Sequence, residues 1–330
     1  REMWRTRLHF ARVYCRQSVR KGQSRAVCTL ECRNRQMFNY NRNPASDGVS
    51  MRGSSKPLSD SPERSYAAKL ERFGAFAAPE LRQVFTDLPL PTKGTALDLG
   101  CGTGQTTALL AEELGSEVSL VGVDLSLPHL QAARNHHRLP LVQCDADQLC
   151  FREAAFDFIW SCNTINHLTD GVAGLRSLHR SLRDNGRMAL AQSGLLPEMF
   201  FAWDAPLDDA VRTACFHYYR ERYGLSIDAT AGVRGILGLM QAADFKAITT
   251  RTYTLERIQP LSTSDRDYFQ QVVFEGTWGE RIRPYLEPEQ VEKLQRYCTP
   301  DSTEYCLDRR DFHHIQTITI CTATKENPKT

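Results

Sequence analysis

The stretch ALDLGCGTGQTT, Ala96 to Thr107, sets three glycines into five residues between a short apolar run and a helix-forming stretch. That order predicts a buried strand, a tight turn and a helix start. In an open parallel sheet, ligands bind past the carboxyl ends of the strands, where the strand order reverses. Gly100, Gly102 and Gly104 fall at such an end. Gly100 and Gly102 can take positive φ and let a ligand approach the main chain. Gly104 opens the helix, whose amides can hold a carboxylate or a phosphate. The spacing is GxGxG, not the GxGxxG of dinucleotide sites.

Outward from this stretch, strands alternate with helices. GQTTALLAEELG predicts a helix ended by Gly115, and EVSLVGVD a second strand that ends in Asp124. A carboxylate there can accept from both hydroxyls of a ribose. SLPHLQAARNHH predicts a second helix with Ser126 as N-cap and Pro128 in its first turn. LPLVQCD and AFDFIWS read as strands three and four. GVAGLRSLHRSLRDNG reads as a helix closed by Asn185-Gly186, and RMALAQ as strand five. GILGLMQAADF is a further helix, and AITTRTYTLERI and HHIQTITICTA are the last two strands. Upstream, ERSYAAKLERFGAF and PELRQVFTDL predict two helices broken near Ala77–Pro79. This rhythm means right-handed βαβ units: an α/β, doubly wound, mostly parallel seven-stranded sheet. Insertions at about 193–232 and 260–310 are rich in aromatics and predict helical caps, so the folded domain is expected over 62–330.

The net charge of +2 conceals an asymmetry. Residues 1–57 hold thirteen Lys/Arg against three acids, a charge of +10, which leaves the rest at −8. An acidic body argues against a broad nucleic-acid footprint. The basic head, 1–61, is poor in acids and lacks an apolar run; it is expected to be a disordered leader or an organelle transit segment. The expected location is cytoplasmic, or mitochondrial or plastid if the head is a transit segment. No run of 18 apolar residues occurs, so no membrane span is expected. The eleven cysteines are irregularly spaced and contain no CxxC, which argues against zinc and for a reducing compartment.

The residues resemble the class I S-adenosylmethionine-dependent methyltransferases, in particular their ubiquinone/menaquinone-methyltransferase-like small-molecule branch. LDLGCGTG is close to the family's first motif and VGVDLS to its second. CDADQLCFREAAFDFIWSCNTINHL and LHRSLRDNGRMALAQ resemble later ones. The likeness covers roughly 66–192 well and 233–258 loosely. RDNGR replaces the usual Pro-Gly-Gly turn, and LCFRE the usual LPF.

By that resemblance the cofactor is S-adenosyl-L-methionine. Asp98 helps hold the amino group of its methionine part, and Gly100, Cys101 and Gly102 pass their backbone along it. Asp124 holds the ribose and Leu125 packs on the adenine. Asp145 and Ala146 meet the adenine edge, and Cys162 and Asn163 close strand four beside the methionine. Tyr66 resembles the aromatic that covers the methyl donor in this branch; ordinary helix packing is the alternative.

Methyl transfer needs alignment, exclusion of water and sometimes removal of a proton. His167, after strand four, is the candidate base, with packing over the cofactor as the alternative role. His313 and His314 read as structural. No clustered carboxylate/His set suggests a metal. The acceptor is expected to be a small, partly apolar molecule in a pocket built by the N-terminal helices and the aromatic insertions. RNA methylation and a non-catalytic partner subunit are the competing readings, and the sequence does not specify the acceptor atom or the oligomeric state.

Overall fold

Residues 13–20, 23–31, 37–42, 66–194, 199–200, 203–223, 235–279 and 281–326 are described by a computed structural model. Three strands lie in the basic head: β1 (Val13–Arg20), β2 (Gln23–Glu31) and β3 (Met37–Arg42). They form their own antiparallel sheet, with Val13 opposite Leu30 and Ala26 opposite Arg42. The sequence reading expected no element here because no apolar run exists. A three-stranded ladder needs only extended backbone, and Val13, Cys15 and Val19 already alternate along β1. The rest of the 1–61 expectation lies outside the described residues.

The body follows the expected rhythm. In order come α1 (Ala67–Asp87), β4 (Lys93–Leu99), α2 (Gln105–Glu113), β5 (Glu117–Asp124), α3 (Leu127–His136), β6 (Leu141–Gln143) and β7 (Phe156–Cys162). Then follow α4 (Gly171–Ser181), β8 (Leu182–Ser193), β9 (Met199–Phe200), α5 (Ala205–Tyr223) and α6 (Ile236–Ala242). The chain finishes with β10 (Lys246–Ile258), α7 (Thr263–Asp267), α8 (Pro288–Cys298) and β11 (His313–Thr324). A π-helical segment, Tyr268–Gly279, continues directly from α7.

The main sheet runs β10-β11-β8-β7-β4-β5-β6. Strands β8, β7, β4, β5 and β6 are parallel, and β11 is antiparallel to both neighbours. The seven-stranded, mostly parallel sheet is therefore present; β9 adds an eighth, two-residue strand against the start of β11. Successive strands step outward from β4 through β5 to β6, and the chain then returns to β7 on the other side of β4. That reversal makes the carboxyl ends of β4 and β7 the switch point.

Alternation along β4 divides the core. Ala96 faces a cluster with Phe76, Leu81 and Phe85 of α1 and Leu110 of α2, while Leu97 and Leu99 face a second cluster with Leu175 and Leu178 of α4. The insertions join the first cluster: Phe200, Trp203, Phe269, Phe274 and Trp278 are all buried there. Some of the insertion residues, 195–198, 201–202 and 224–234, lie outside the described residues.

Two helix boundaries differ from expectation. α1 is one helix and runs through Pro79. A proline inside a helix removes one amide and pushes away the carbonyl four residues back. Arg257 of β10 donates to the neighbouring Phe76 carbonyl at 2.5 Å, to both carboxylate oxygens of Glu80 at 2.6 and 3.0 Å, and to Asp265 at 2.7 Å. This network joins α1, β10 and α7 beside the turn that Pro79 interrupts. Arg257→Met is expected to cost about 2 kcal/mol of stability, because two half-buried carboxylates lose their counter-charge. Chemical denaturation checks this.

The second difference is α4, which ends at Ser181 rather than at Asn185-Gly186. Leu182 is already extended and buried in the second core. The register of β8 against β7 jumps from Phe156–Leu182 to Phe158–Arg187. Asn185, at φ +61°, sits inside that bulge, so its left-handed turn bends a strand instead of ending a helix.

Candidate functional site

At the switch point lies a cavity of about 450 Å³. Its walls come from the start of α1, the β4–α2 turn, the end of β5, the loops after β6 and β7, and the end of β8. Every residue that the sequence reading assigned to a cofactor lines it except Gly104: Asp98, Gly100, Cys101, Gly102, Asp124, Leu125, Asp145, Ala146, Cys162 and Asn163. His167 and Tyr66 line it too.

The β4–α2 turn has the backbone its glycines allow. Gly100, Gly102 and Gly104 have φ of +76°, +54° and +84°. The amides of Gly100 and Cys101 both donate to the Val123 carbonyl, at 2.7 and 2.8 Å, which holds the turn against β5. A Cβ at Gly100 would lie 1.9 Å from Oγ1 of Thr164, and one at Gly102 would lie 3.1 Å from a methyl of Leu70. The close neighbour that excludes a side chain at Gly100 is thus the loop after β7. Gly104 caps α2 from the left-handed region, packed near Ala133 and His137 rather than on the cavity.

Four carboxylates line the cavity; Asp147 accepts from the Thr169 amide at 3.0 Å and the Thr169 hydroxyl at 2.7 Å, and the other three come from different elements. Asp98 is buried and accepts from Thr107 Oγ1 at 2.6 Å. Burial pushes its pKa up to about 7; the Thr107 hydrogen bond opposes this and the charge of Asp124 adds to it. Asp124 accepts from the Gly102 amide at 2.8 Å and from the Ser126 amide at 2.8 Å. It also lies 3.4 Å from Nδ1 of His129. Asp145 caps a short turn by accepting from the Asp147 amide at 3.0 Å. Each carboxylate oxygen has two lone pairs and can accept more than one hydrogen bond.

Cys162 and Asn163 lie at the end of β7 on the cavity wall. Asn163 adopts φ +53°, and its Oδ1 accepts from the amide and the hydroxyl of Ser193 and from Gln192. Its side chain ties β7 to β8. Burial pushes the Cys162 thiol up to about 12, and Cys101 well above the ordinary thiol range, so both are neutral thiols that pack. His167 ends a 3₁₀ turn, Ile165–His167, at the mouth of the cavity.

His129 was not singled out in the sequence. It is buried, and its Nε2 accepts from the Tyr66 amide at 3.3 Å while Nδ1 faces Asp124. Tyr66 packs edge-on against the same imidazole, with ring centroids 4.9 Å apart. The start of α1 is thereby attached to the carboxylate that ends β5. Thr107 and Thr164 were also missed; a lone threonine carries no pattern that a sequence reading can detect.

Among the described residues, the aromatics of the insertions do not wall this cavity. Among the described residues its aromatic lining is Tyr66 and Phe73, plus the two histidines. The insertion rings are consumed in packing against α1 and β11. Among the described residues, no three of His, Cys, Asp and Glu converge to hold a metal, and no helix is long and apolar enough to cross a membrane.

Comparison with known proteins gives a consistent result. Residues 96–186 match a methyltransferase domain family. Malonyl-[acyl-carrier protein] O-methyltransferase of Pseudescherichia vulneris is 34% identical over 134 residues, 38% of this chain and 52% of that one. A ubiquinone/menaquinone biosynthesis C-methyltransferase of Stenotrophomonas maltophilia is 32% identical over 120 residues, 34% of this chain and 46% of that one. Trans-aconitate 2-methyltransferase of Azoarcus sp. is 32% identical over 209 residues, 62% of this chain and 75% of that one. The chain thus spans about half the length of the first two relatives and three quarters of the third.

Proposed function

This chain belongs to the class I S-adenosylmethionine-dependent methyltransferases, and we propose that it transfers a methyl group from S-adenosylmethionine to a small, partly apolar organic molecule. The observation that carries this reading is the convergence of Asp98, Asp124 and Asp145 on one cavity at the switch point. S-adenosylmethionine offers hydrogen-bond donors at three separated places: an ammonium, a pair of ribose hydroxyls and an adenine amino group. Three separated carboxylates match that set, and a volume of about 450 Å³ lies within the usual range for a ligand pocket. The residues therefore fit the cofactor.

In this assignment Asp98 meets the ammonium, Asp124 the ribose and Asp145 the adenine edge. Leu125 and Leu168 supply apolar surface, and Tyr66 covers the mouth. When bound, the cofactor supplies an electrophilic methyl group on a sulfonium. The chain's own part is to hold the acceptor in line, to keep water out, and to accept a proton where the acceptor carries one. His167, on the cavity wall, is the group proposed for that last step. The small-molecule class is supported by the names of the relatives, none of which prints a nucleic-acid substrate among those quoted, and by the acidic body.

Asp98 gives this assignment a pH signature. Its folded pKa of about 7 is raised from 3.8, so the native chain holds an extra proton between roughly pH 4 and 7. Its contribution to the stability of the ligand-free chain therefore falls as pH rises through that window. A bound ammonium reverses the preference. Affinity for S-adenosylhomocysteine should rise about tenfold between pH 6 and pH 8, following the ionised fraction of a group with that pKa. Asp98→Asn should bind weakly and without that slope; titration calorimetry at several pH values checks it. Incubation with methyl-labelled cofactor and fractionated small molecules tests the activity and identifies the acceptor.

A further inference from the structure

We infer that His129 is a positioning residue for the cofactor. It sets the place of α1's cavity face from the carboxylate assigned to the ribose, so that cofactor binding and the seating of Tyr66 reinforce each other. The inference rests on the methyl-transfer reading above and concerns the same cavity.

The wall is helical. Tyr66, the residue that opens α1, lines the cavity together with Lys69, Leu70, Phe73 and Gly74. Their spacing of i, i+3, i+4, i+7 and i+8 is one face of a helix. The first two turns of α1 therefore form one side of the site, and a shift of that face reshapes the whole side. Its far end is fixed by packing: a Cβ on Gly74 would lie 2.8 Å from Cβ of Gln105, the first residue of α2. Its near end is held by His129, whose Nε2 accepts from the Tyr66 amide at 3.3 Å.

The ring hydrogen can be placed from that bond. An amide only donates, so Nε2 must offer its lone pair and the hydrogen belongs on Nδ1. Nδ1 lies 3.4 Å from Oδ1 of Asp124. The carboxylate is itself oriented, with Oδ1 accepting from the Ser126 amide and Oδ2 from the Gly102 amide. A carboxylate facing Nδ1 favours the tautomer with its hydrogen there. That tautomer is the one that leaves Nε2 able to accept. Asp124 thus governs, through a buried imidazole, whether the start of α1 is held.

Coupling to the cofactor follows from what the ligand touches. In the reading above the ribose meets Asp124 and Tyr66 covers the mouth, so the cofactor contacts both ends of the Asp124–His129–Tyr66 relay. It then binds the seated helix more tightly than a helix whose first turn has moved away. Seating in turn raises cofactor affinity, because the coupling is reciprocal. An apolar side chain of similar size would fill the space and break the relay at both ends.

The test uses the full chain with His129→Gln, His129→Asn and His129→Leu. The Gln oxygen reaches the place of Nε2 and can accept from the Tyr66 amide. The Asn side chain reaches only the place of Nδ1, and Leu fills space alone. Hydrogen exchange at the amides of residues 66–70 is followed without ligand and with S-adenosylhomocysteine, and affinity is measured by titration. In wild type, S-adenosylhomocysteine should slow these amides further. His129→Leu and His129→Asn should exchange there about fivefold faster without ligand and bind S-adenosylhomocysteine about fivefold more weakly, the equivalent of one lost hydrogen bond. His129→Gln should stay within about twofold of wild type in both. Wild-type exchange and affinity in His129→Leu overturn the inference. So does failure of His129→Gln to the same extent as His129→Leu, which would mark the imidazole as packing. Faster exchange in His129→Leu with unchanged affinity overturns the link to the cofactor. If the wild-type chain binds no S-adenosylhomocysteine, the methyl-transfer reading itself fails, and the ligand-free exchange still decides whether His129 holds α1.

Discussion

His167→Ala should lower saturated turnover by about 10²–10⁴-fold while leaving the affinity for S-adenosylhomocysteine within about threefold of wild type. The expectation comes from position, since the residue ends the turn after β7 and lines the cavity, and from the base role proposed above. A base acts only in the chemical step, so its loss appears in turnover and not in cofactor affinity. If His167 only packs over the cofactor, the pattern inverts: affinity falls and saturated turnover is kept. That outcome would also mean an acceptor nucleophilic enough to need no base. Turnover within about threefold of wild type excludes the base role, because such a ratio corresponds to well under 1 kcal/mol of barrier.

Asp124→Ala should weaken S-adenosylhomocysteine binding by about 2–4 kcal/mol, roughly 30- to 900-fold, as expected when charge-assisted bonds to buried hydroxyls are lost. The structure adds a second consequence. Asp124 also holds the Gly102 and Ser126 amides and faces His129, so the variant should lose stability as well. That loss should be about 1–2 kcal/mol, since both amides belong to buried residues and would lose their acceptor. Asp124→Asn keeps one acceptor oxygen and should fall between. Calorimetric affinity and the thermal midpoint, measured together, separate the two roles. Unchanged affinity in a less stable Asp124→Ala would mean that the carboxylate organises the turn but does not hold the ribose.

Legibility in the sequence depended on whether local chemistry and tertiary context pointed the same way. EVSLVGVD is a strand over the whole of its length: Val118, Leu120, Val121 and Val123 suit a strand, and β4 pairs it along Glu117–Val123. Ser126 caps α3 as its residue type predicts, although the bond to the His129 amide is long at 3.4 Å. Pro79 and Asn185 misled for opposite reasons. Pro79 is a helix breaker in a helix that is packed on both sides of it, with Arg257 of a strand far away in sequence bound to Phe76 and Glu80. Asn185 is a helix terminator that the register of β8 uses as a bulge. Among site residues, the glycines and the three carboxylates were visible because a spaced pattern carries them. His129 and Thr107 were not, since each acts through a partner that only the fold brings near. The insertion aromatics showed the limit of composition: the same rings can wall a pocket or fill a core, and Phe200, Trp203 and Trp278 fill a core.

Removing the carboxylates one at a time distributes the cofactor's binding energy among them. Whether the cavity takes S-adenosylmethionine at all is tested most directly by titrating the unmodified chain with S-adenosylhomocysteine and, separately, with NAD. The carboxylate set and the GxGxG turn predict saturable binding of S-adenosylhomocysteine at one site per chain and no binding of NAD. Binding of NAD without binding of S-adenosylhomocysteine would contradict the account.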